Sequence, residues 1–350
     1  MRLETVLSAI RPAEKAMAEA CQARFDGIAK PVGSLGQLEA LLAKIAAVQG
    51  TPDICLDRKV VVVFCADNGV VRQGVTQSGP EVTTAIARML QSRKASVCVM
   101  AAACGAEVFP MDIGMLDTLA GMQSCKLMQG TNDISKEPAM SRGIAEKAVL
   151  LGIETVKDLK SKGFHLIATG EAGIGNTATS AAVCAVLLDK PVEDVTGYGA
   201  GLSSDGLRRK IAVLREAIDV NKPNACDSLD VLHKVGGLDI AALTGVFLGG
   251  ALHHVPIVMD GFIAGVAALL AARLCPEVIG YILPSHVSSE PGARFVVQAL
   301  GLEPIIHADM RLGEGTGAVA LFPLLDMALS VYENAARFGD IQVEPYRRLK

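Results

Sequence analysis

From Lys59 onward, short runs of branched apolar residues alternate with longer stretches in which apolar positions recur every three or four residues. The short runs are Val60 to Cys65, Glu107 to Met111, His165 to Thr169, Pro256 to Met259, Val278 to Leu283 and Pro304 to His307. Their length and β-branched content predict strands buried on both faces. The stretches between them carry the helical period, near Glu81 to Ala103, Ser141 to Ser161, Thr177 to Leu188, Asp205 to Val220, Asp239 to His253 and Glu290 to Leu300. Such alternation predicts an α/β fold, a mostly parallel sheet with helices on both faces. Ahead of it, residues 3 to 24 are helically periodic, and the turn Lys30 to Gly36 feeds another helix through about Val48. Behind it, a helical pattern follows Glu314 to about Phe338 before a polar tail. One major α/β domain over residues 51–317 is expected, flanked by helical segments from both ends, 1–50 and 318–350.

Composition narrows the partners. Aromatic residues make up 4% of the chain and there is no Trp, so stacking platforms for nucleic-acid bases are not expected. The net charge is −4 and no Lys/Arg block tracks a phosphate backbone, which leaves small molecules or protein as partners. The nine cysteines are odd in number, scattered and without a Cys-x-x-Cys pair; they read as free buried thiols of a cytoplasmic protein. Arg2, Glu4, Arg11 and Glu14 interrupt the N-terminal apolar residues, which excludes a signal-peptide core. The most apolar region, Ile240 to Ala272, is broken by His253-His254, Pro256 and Asp260 into pieces too short for a bilayer, so no membrane partner is expected. His253-His254 and the His286/Glu290 pair lack a third ligand at convincing spacing, so no metal is expected either.

In open α/β sheets ligands bind beyond the carboxyl ends of the strands, and three glycine-rich loops fall there or beside it. In Arg311-Leu312-Gly313-Glu314-Gly315-Thr316-Gly317-Ala318 a lone carboxylate sits among glycines ahead of an apolar helical stretch. Glycines allow positive φ and close approach to a ligand, and the helix start points unpaired N–H groups back at the loop. Glu314 is therefore a candidate general base; the plainer alternative is a carboxylate that complements the helix dipole. A second loop, Gly170-Glu171-Ala172-Gly173-Ile174-Gly175-Asn176-Thr177, joins an apolar run to a helix with the spacing of a Gly-four-Gly-Lys-Thr phosphate loop, but Asn176 replaces the lysine. Backbone N–H groups there still suit one phosphate, so the loop reads as a monophosphate site and argues against an NTPase. A close strand-to-helix turn is the alternative. The third cluster, Gly197-Tyr198-Gly199-Ala200-Gly201, leads through Ser203-Ser204-Asp205, a predicted N-cap, into the helix of Lys210. Lys210 is a candidate phosphate cation, or else a solvated residue like its neighbours Arg208 and Arg209.

Taken together, these residues resemble the nicotinate mononucleotide:5,6-dimethylbenzimidazole phosphoribosyltransferase family of cobamide biosynthesis. The similarity spans nearly the whole chain. It includes Lys30 to Gly36, Ala66-Asp67-Asn68-Gly69-Val70, Gly170 to Thr177, Val235-Gly236-Gly237-Leu238-Asp239, Met259-Asp260-Gly261-Phe262, Ser285-His286 with Ser289-Glu290, and Met310 to Gly317. The resemblance implies a parallel α/β domain with a small helical domain drawn from both chain ends, in a dimer that needs no metal or cofactor. It implies that Glu314 is the general base and that Glu171 lines the nicotinate mononucleotide pocket. Gly173 to Thr177, Gly175 and Asn176 included, would hold the 5′-phosphate with Gly199 and Lys210. Ser78, Ile86, Leu312 and Gly313 would contact the incoming aromatic base. Two positions depart from the family pattern. Asn68 stands where a histidine is common, and Ile86 where a related sequence has a glutamine that touches the base. Loss of that amide favours a ring with a less polar edge, such as a phenol, over a benzimidazole or purine.

Some anaerobe relatives attach phenols and work as two paralogous subunits, so the rival expectation is a nucleotide-binding partner subunit with little activity alone. Retention of Glu314 and of the phosphate loop weighs against it. A dinucleotide-binding dehydrogenase is weaker still, because no Gly-x-Gly-x-x-Gly opens the first strand–helix unit.

Overall fold

The computed structural model of the protein describes residues 2–346. β1 (Lys59–Ala66) lies at the centre of a six-stranded parallel sheet with every residue buried. On one side come β2 (Glu107–Gly114) and then β3 (Gln123–Ser124). On the other side follow β4 (Leu166–Ala172), β5 (Ile257–Met259) and β6 (Ile282–Pro284). The order β3-β2-β1-β4-β5-β6 reverses between β1 and β4, which opens a crevice at the carboxyl ends of those two strands.

Helices α1 (Leu3–Ala9), α2 (Lys15–Asp26) and α3 (Gln37–Gln49) precede the sheet. α4 (Glu81–Gln91) and α5 (Ser96–Ala103) connect β1 to β2, and α6 (Arg142–Ser161) connects β3 to β4. Between β4 and β5 lie α7 (Asn176–Leu188), the single turn α8 (Val192–Val195), α9 (Ser204–Asn221), α10 (Ser228–Val235) and α11 (Leu238–His253). α12 (Phe262–Leu274) precedes β6, and α13 (Pro291–Leu300) and α14 (Thr316–Asn334) follow it.

The period-two alternation of β1 divides the core. Val60, Val62, Phe64 and Ala66 face a cluster built with α6, α7, α11 and α12, whereas Val61, Val63 and Cys65 face a second built with α2, α3, α5 and α14. Leu3 and Val6 of α1 join the first cluster, while helices α2, α3 and α14, from both ends of the chain, close the other face of the sheet. Phe25 and Tyr332 place their rings 4.8 Å apart there, and the Tyr332 hydroxyl donates to Pro52 O at 2.8 Å. α14 is long and apolar enough by composition to cross a bilayer, yet half of it is buried within this fold.

Several elements differ from the sequence expectation, each for a local reason. The stretch 81–103 is two helices, because α4 ends in a Schellman closure at Arg93 (φ 58°), with Lys94 N–H donating to Met89 O at 2.8 Å. The stretch 3–24 is divided where Pro12 follows Arg11. Pro276 starts a 3₁₀ turn through Tyr281, which delays β6 to Ile282. Pro304 to His307 is not a strand: Ile306 makes one parallel bridge to His286, beyond the end of β6, and Pro304 has no N–H to extend a ladder. α10 is too short and α12 too uniformly apolar for periodicity to reveal them. The helical segment expected over 318–350 stops at Asn334, and a separate turn, Phe338–Ile341, follows with Arg337 and Asp340 capping each other; residues 347–350 lie outside the described residues. All nine cysteines are free, but only Cys21, Cys65, Cys98, Cys184 and Cys275 are buried, since Cys55, Cys104 and Cys125 are partly exposed and Cys226 is exposed.

α6 and α11 pack at backbone distance: a Cβ added to Gly245 would lie 1.9 Å from Val149 O. Gly245→Ala should therefore destabilise the fold by about 3 kcal/mol, the upper range for overpacking. Urea unfolding measures it, and a loss under about 0.5 kcal/mol would contradict this contact.

Candidate active site

A cavity of about 250 Å³ opens where the strand order reverses. The end of β4, the turn after it and the start of α7 bring Glu171, Gly173, Asn176 and Thr177 to it, and the loop before α14 brings Leu312, Gly313 and Glu314. Ser78 and Ile86 form another wall, and Gly199 reaches it from the third glycine cluster. Two expected residues do not line it. Gly175 packs against Val71 and Asn68, and Lys210 is fully buried behind Thr177.

Glu314 sits in an unusual backbone. Gly313, Glu314 and Gly315 have φ of 82°, 61° and 92°, three successive left-handed residues. A Cβ on Gly315 would approach Val61 Cγ1 to 2.6 Å, so only glycine passes between β1 and this loop. For Glu314 itself the left-handed conformation costs about 1–2 kcal/mol, which the surroundings must offset. Asp260 contributes two hydrogen bonds: Gly315 N–H donates to its Oδ2 at 3.2 Å and Ala318 N–H to its Oδ1 at 2.9 Å. Glu314 is 8% exposed and its Oε2 has no hydrogen-bond partner. Burial raises its pKa above the ordinary carboxylate value; the Val97 N–H opposes this and the Asp260 charge adds to it. A carboxylate with a free oxygen and raised basicity is suited to take a proton.

Beside it, Asn176 holds two acids. Its side-chain N–H₂ donates to Glu171 Oε2 and to Asp239 Oδ2, the latter at 3.0 Å. The residue that replaces the lysine of a nucleoside-triphosphate loop is thus committed to carboxylates, and its backbone N–H is bonded to Gly173 O at 3.0 Å. Burial, reinforced by the Asp239 charge and opposed by Asn176, drives the Glu171 pKa well up. Burial also lifts Asp239 to about 6 against the hydrogen bond from Asn176. Under the loop, Lys210 Nζ donates to Thr177 Oγ1 at 2.9 Å and to Gly197 O at 3.2 Å. Lys210 is not a solvated face residue: burial lowers its pKa to about 8, against the charge of Glu290. The predicted N-cap is present, Ser203 Oγ accepting from Gly206 N–H at 3.1 Å.

Sequence reasoning left two participants without a specific role. In sequence, Asp260 stands on the rim after a predicted strand and within a shared motif, and His286 reads as a structural or substrate-contact residue rather than a metal ligand; both line the cavity. The Ser285 hydroxyl donates to Met259 O at 2.7 Å, so His286 Nδ1, 3.0 Å from the same oxygen, is the donor of that contact. Among the described residues no group of three or more His, Cys, Asp or Glu is arranged to hold a metal ion.

Known proteins share this architecture. The profile of a family described as phosphoribosyltransferase matches residues 10–343. The nicotinate-nucleotide–dimethylbenzimidazole phosphoribosyltransferase of Acetivibrio thermocellus is 45% identical over 93% of each chain. Its namesake in Ruminiclostridium cellulolyticum is 42% identical over the full length of both, and that of Escherichia coli 40% over 95% of this chain and 93% of its own. This chain belongs to that family. Family membership extends to the fold: the crystal structure of CobT from Thermus thermophilus matches with a TM-score of 0.89 at 36% identity, covering 95% of this chain and all of that one.

Glu171, Asp260 and Glu314 together wall the cavity, an arrangement complementary to a ligand that carries positive charge. The same acids carry a stability cost. Glu171 and Asp239 have pKa values raised by folding, so the stability tied to them is complete below the unfolded carboxylate value, about 4. It is lost as pH rises, through about 6 for Asp239 and through a value raised well above the ordinary carboxylate range for Glu171. For the fully buried Asp239 the cost at neutral pH is on the order of 3 kcal/mol. Asp239→Asn removes that titration, so the variant should gain stability relative to wild type as pH rises from about 4 to about 7. Denaturant melts across this range check it; a difference independent of pH would contradict the assignment.

Proposed function

We propose that the enzyme transfers the 5-phosphoribosyl group of nicotinate mononucleotide to a small aromatic base of the benzimidazole or phenol type, giving an α-riboside 5′-phosphate and nicotinate. The observation that carries this reading is Glu314, a buried carboxylate with an unpartnered oxygen on the wall of the same cavity as Ser78 and Ile86. The names of the relatives supply the donor and the type of base. In such a donor the pyridinium nitrogen is already a good leaving group. The enzyme then has to hold the phosphoribosyl unit and deprotonate the nucleophile that attacks C1′ from the opposite face, which inverts the β-riboside to an α-riboside. The 5′-phosphate is assigned to the Gly173–Thr177 loop and Gly199, with the Lys210 charge beneath them.

The acceptor is assigned to the wall formed by Ser78 and by Val82 and Ile86, which stand one helical turn apart on α4. Two branched apolar side chains favour a ring with apolar edges, which supports a phenolic acceptor beside the benzimidazole of the family name. A phenol must lose its hydroxyl proton, whereas a benzimidazole nitrogen attacks with its lone pair, so phenol transfer depends more steeply on Glu314. The intact general-base residue and phosphate loop support activity in this chain's own right over a supporting-subunit role.

Glu314→Gln should lower turnover by about 10²–10⁴-fold, the scale of general-base catalysis, with donor affinity within about threefold of wild type. Steady-state rates and calorimetric titration with nicotinate mononucleotide measure both; near-normal turnover would remove Glu314 as the base. Ile86→Gln should shift the rate ratio from p-cresol toward dimethylbenzimidazole by about 10- to 100-fold, or 1–3 kcal/mol. An unchanged ratio would show that Ile86 does not read the ring.

A further inference from the structure

We propose that Asp260 is the positioning residue of this reaction: its carboxylate locks the left-handed Gly313-Glu314-Gly315 turn and so fixes where the Glu314 carboxylate points. The proposal rests on the reading of Glu314 as general base and adds the device that holds it there.

Asp260 is itself held rigidly. It follows β5 directly, and its N–H donates to Thr169 Oγ1 at 3.1 Å while that hydroxyl donates to Val258 O at 3.1 Å. The carboxylate is therefore registered to the ends of β4 and β5. From there its two oxygens reach different points of one loop, Oδ2 to Gly315 N–H at 3.2 Å and Oδ1 to Ala318 N–H at 2.9 Å. Gly315 adjoins Glu314 in sequence, and Ala318 lies in the first turn of α14, whose N-cap has no side-chain hydrogen bond of its own. One side chain thus serves both the turn that carries the base and the helix that follows it.

His286 completes the clamp. A Cβ on Gly317 would lie 1.9 Å from His286 Nδ1, so the ring presses against the backbone between the two Asp260 contacts. The ring nitrogen is 3.9 Å from Asp260 Oδ1 and is oriented by Ser285, itself anchored on Met259 O at 2.7 Å. β4, β5 and β6 therefore each contribute to holding the loop. A residue with positive φ persists only where its surroundings over-determine it, and here Asp260 makes the two side-chain hydrogen bonds to the loop's amides.

Asp260 also acts through charge. The titratable groups facing Glu314 are Asp260 after β5, Glu171 on β4 and Cys98 on α5, and Asp260 in turn faces His286 and Glu171. The Asp260 charge raises the Glu314 pKa, so removing it lowers that pKa and moves the acid limb of activity to lower pH. A residue of purely structural importance would not move that limb.

The test is Asp260→Asn in the full-length enzyme, assayed with nicotinate mononucleotide and dimethylbenzimidazole over pH 5 to 8, with Glu314→Gln in parallel. The expected result is kcat lower by about 10²-fold, as for a displaced catalytic group, with donor affinity within about threefold and the acid limb of kcat/KM shifted to lower pH. An unmoved acid limb, a kcat within about twofold of wild type, or donor affinity lost together with kcat overturns the proposal. Should Asp260→Asn fail to fold, Thr169→Val unpins the Asp260 backbone while leaving its carboxylate, and the test passes to it. A kcat at least about threefold lower at unchanged donor affinity then supports the positioning role, and an unchanged kcat overturns it. If Glu314→Gln stays active, the base assignment itself fails; if it is inactive while the Asp260 and Thr169 variants behave as wild type, only the positioning role fails.

Discussion

Four of the carboxylates buried at the carboxyl end of the parallel sheet, Glu171, Asp239, Asp260 and Glu314, set the terms for the rest of this structure. Taking so many acids out of water is unfavourable, and the fold meets that cost in a different way for each. Asn176 gives both its N–H bonds to Glu171 and Asp239, the start of α14 gives two amides to Asp260, and Glu314 keeps one oxygen without a partner. A charge distribution this one-sided is destabilising in an empty pocket and favourable once positive charge appears there. The proposed transfer of a ribosyl group from a pyridinium donor would supply that charge, first on the ring nitrogen and then on the sugar. Lys210 lies behind Thr177, on the side assigned to the donor's phosphate.

The sheet explains why these groups meet. Each acid or its holder stands at or just after the carboxyl end of a strand, or at the start of a helix that returns to that edge. Because the strand order reverses between β1 and β4, the loops that follow them diverge and leave room for a ligand. The helices behind are packed to backbone contact, as at Gly245 against Val149, so the rim rests on a stiff support.

Much of this was legible in the residues alone. Apolar runs alternating with helical periods located five of the six strands, and the glycine loops with Glu171 and Glu314 fell beside the cavity. What escaped was either very local or very distant. The break at Arg93 and the 3₁₀ turn at Pro276 depend on backbone choices that periodicity averages over. Lys210 stands beside Arg208 and Arg209, and nothing in the spacing says which of the three is buried. Asn176 reads in sequence as a lost lysine, and only its two carboxylate neighbours, one of them 63 positions away, show what it holds. Asp260 contacts an amide 58 residues later, so its part in setting Glu314 cannot be seen before the chain is folded.

Burial and neighbouring charge make Glu314 a more basic carboxylate than usual, and the proposed transfer requires it ionised. The pH dependence of kcat/KM for the wild-type enzyme with nicotinate mononucleotide and p-cresol tests it most directly, because this ratio reports groups in the free enzyme. A rate that falls with decreasing pH through an apparent pKa clearly above the ordinary carboxylate value of about 4.3 is the predicted result. A rate that stays level down to that value would contradict it.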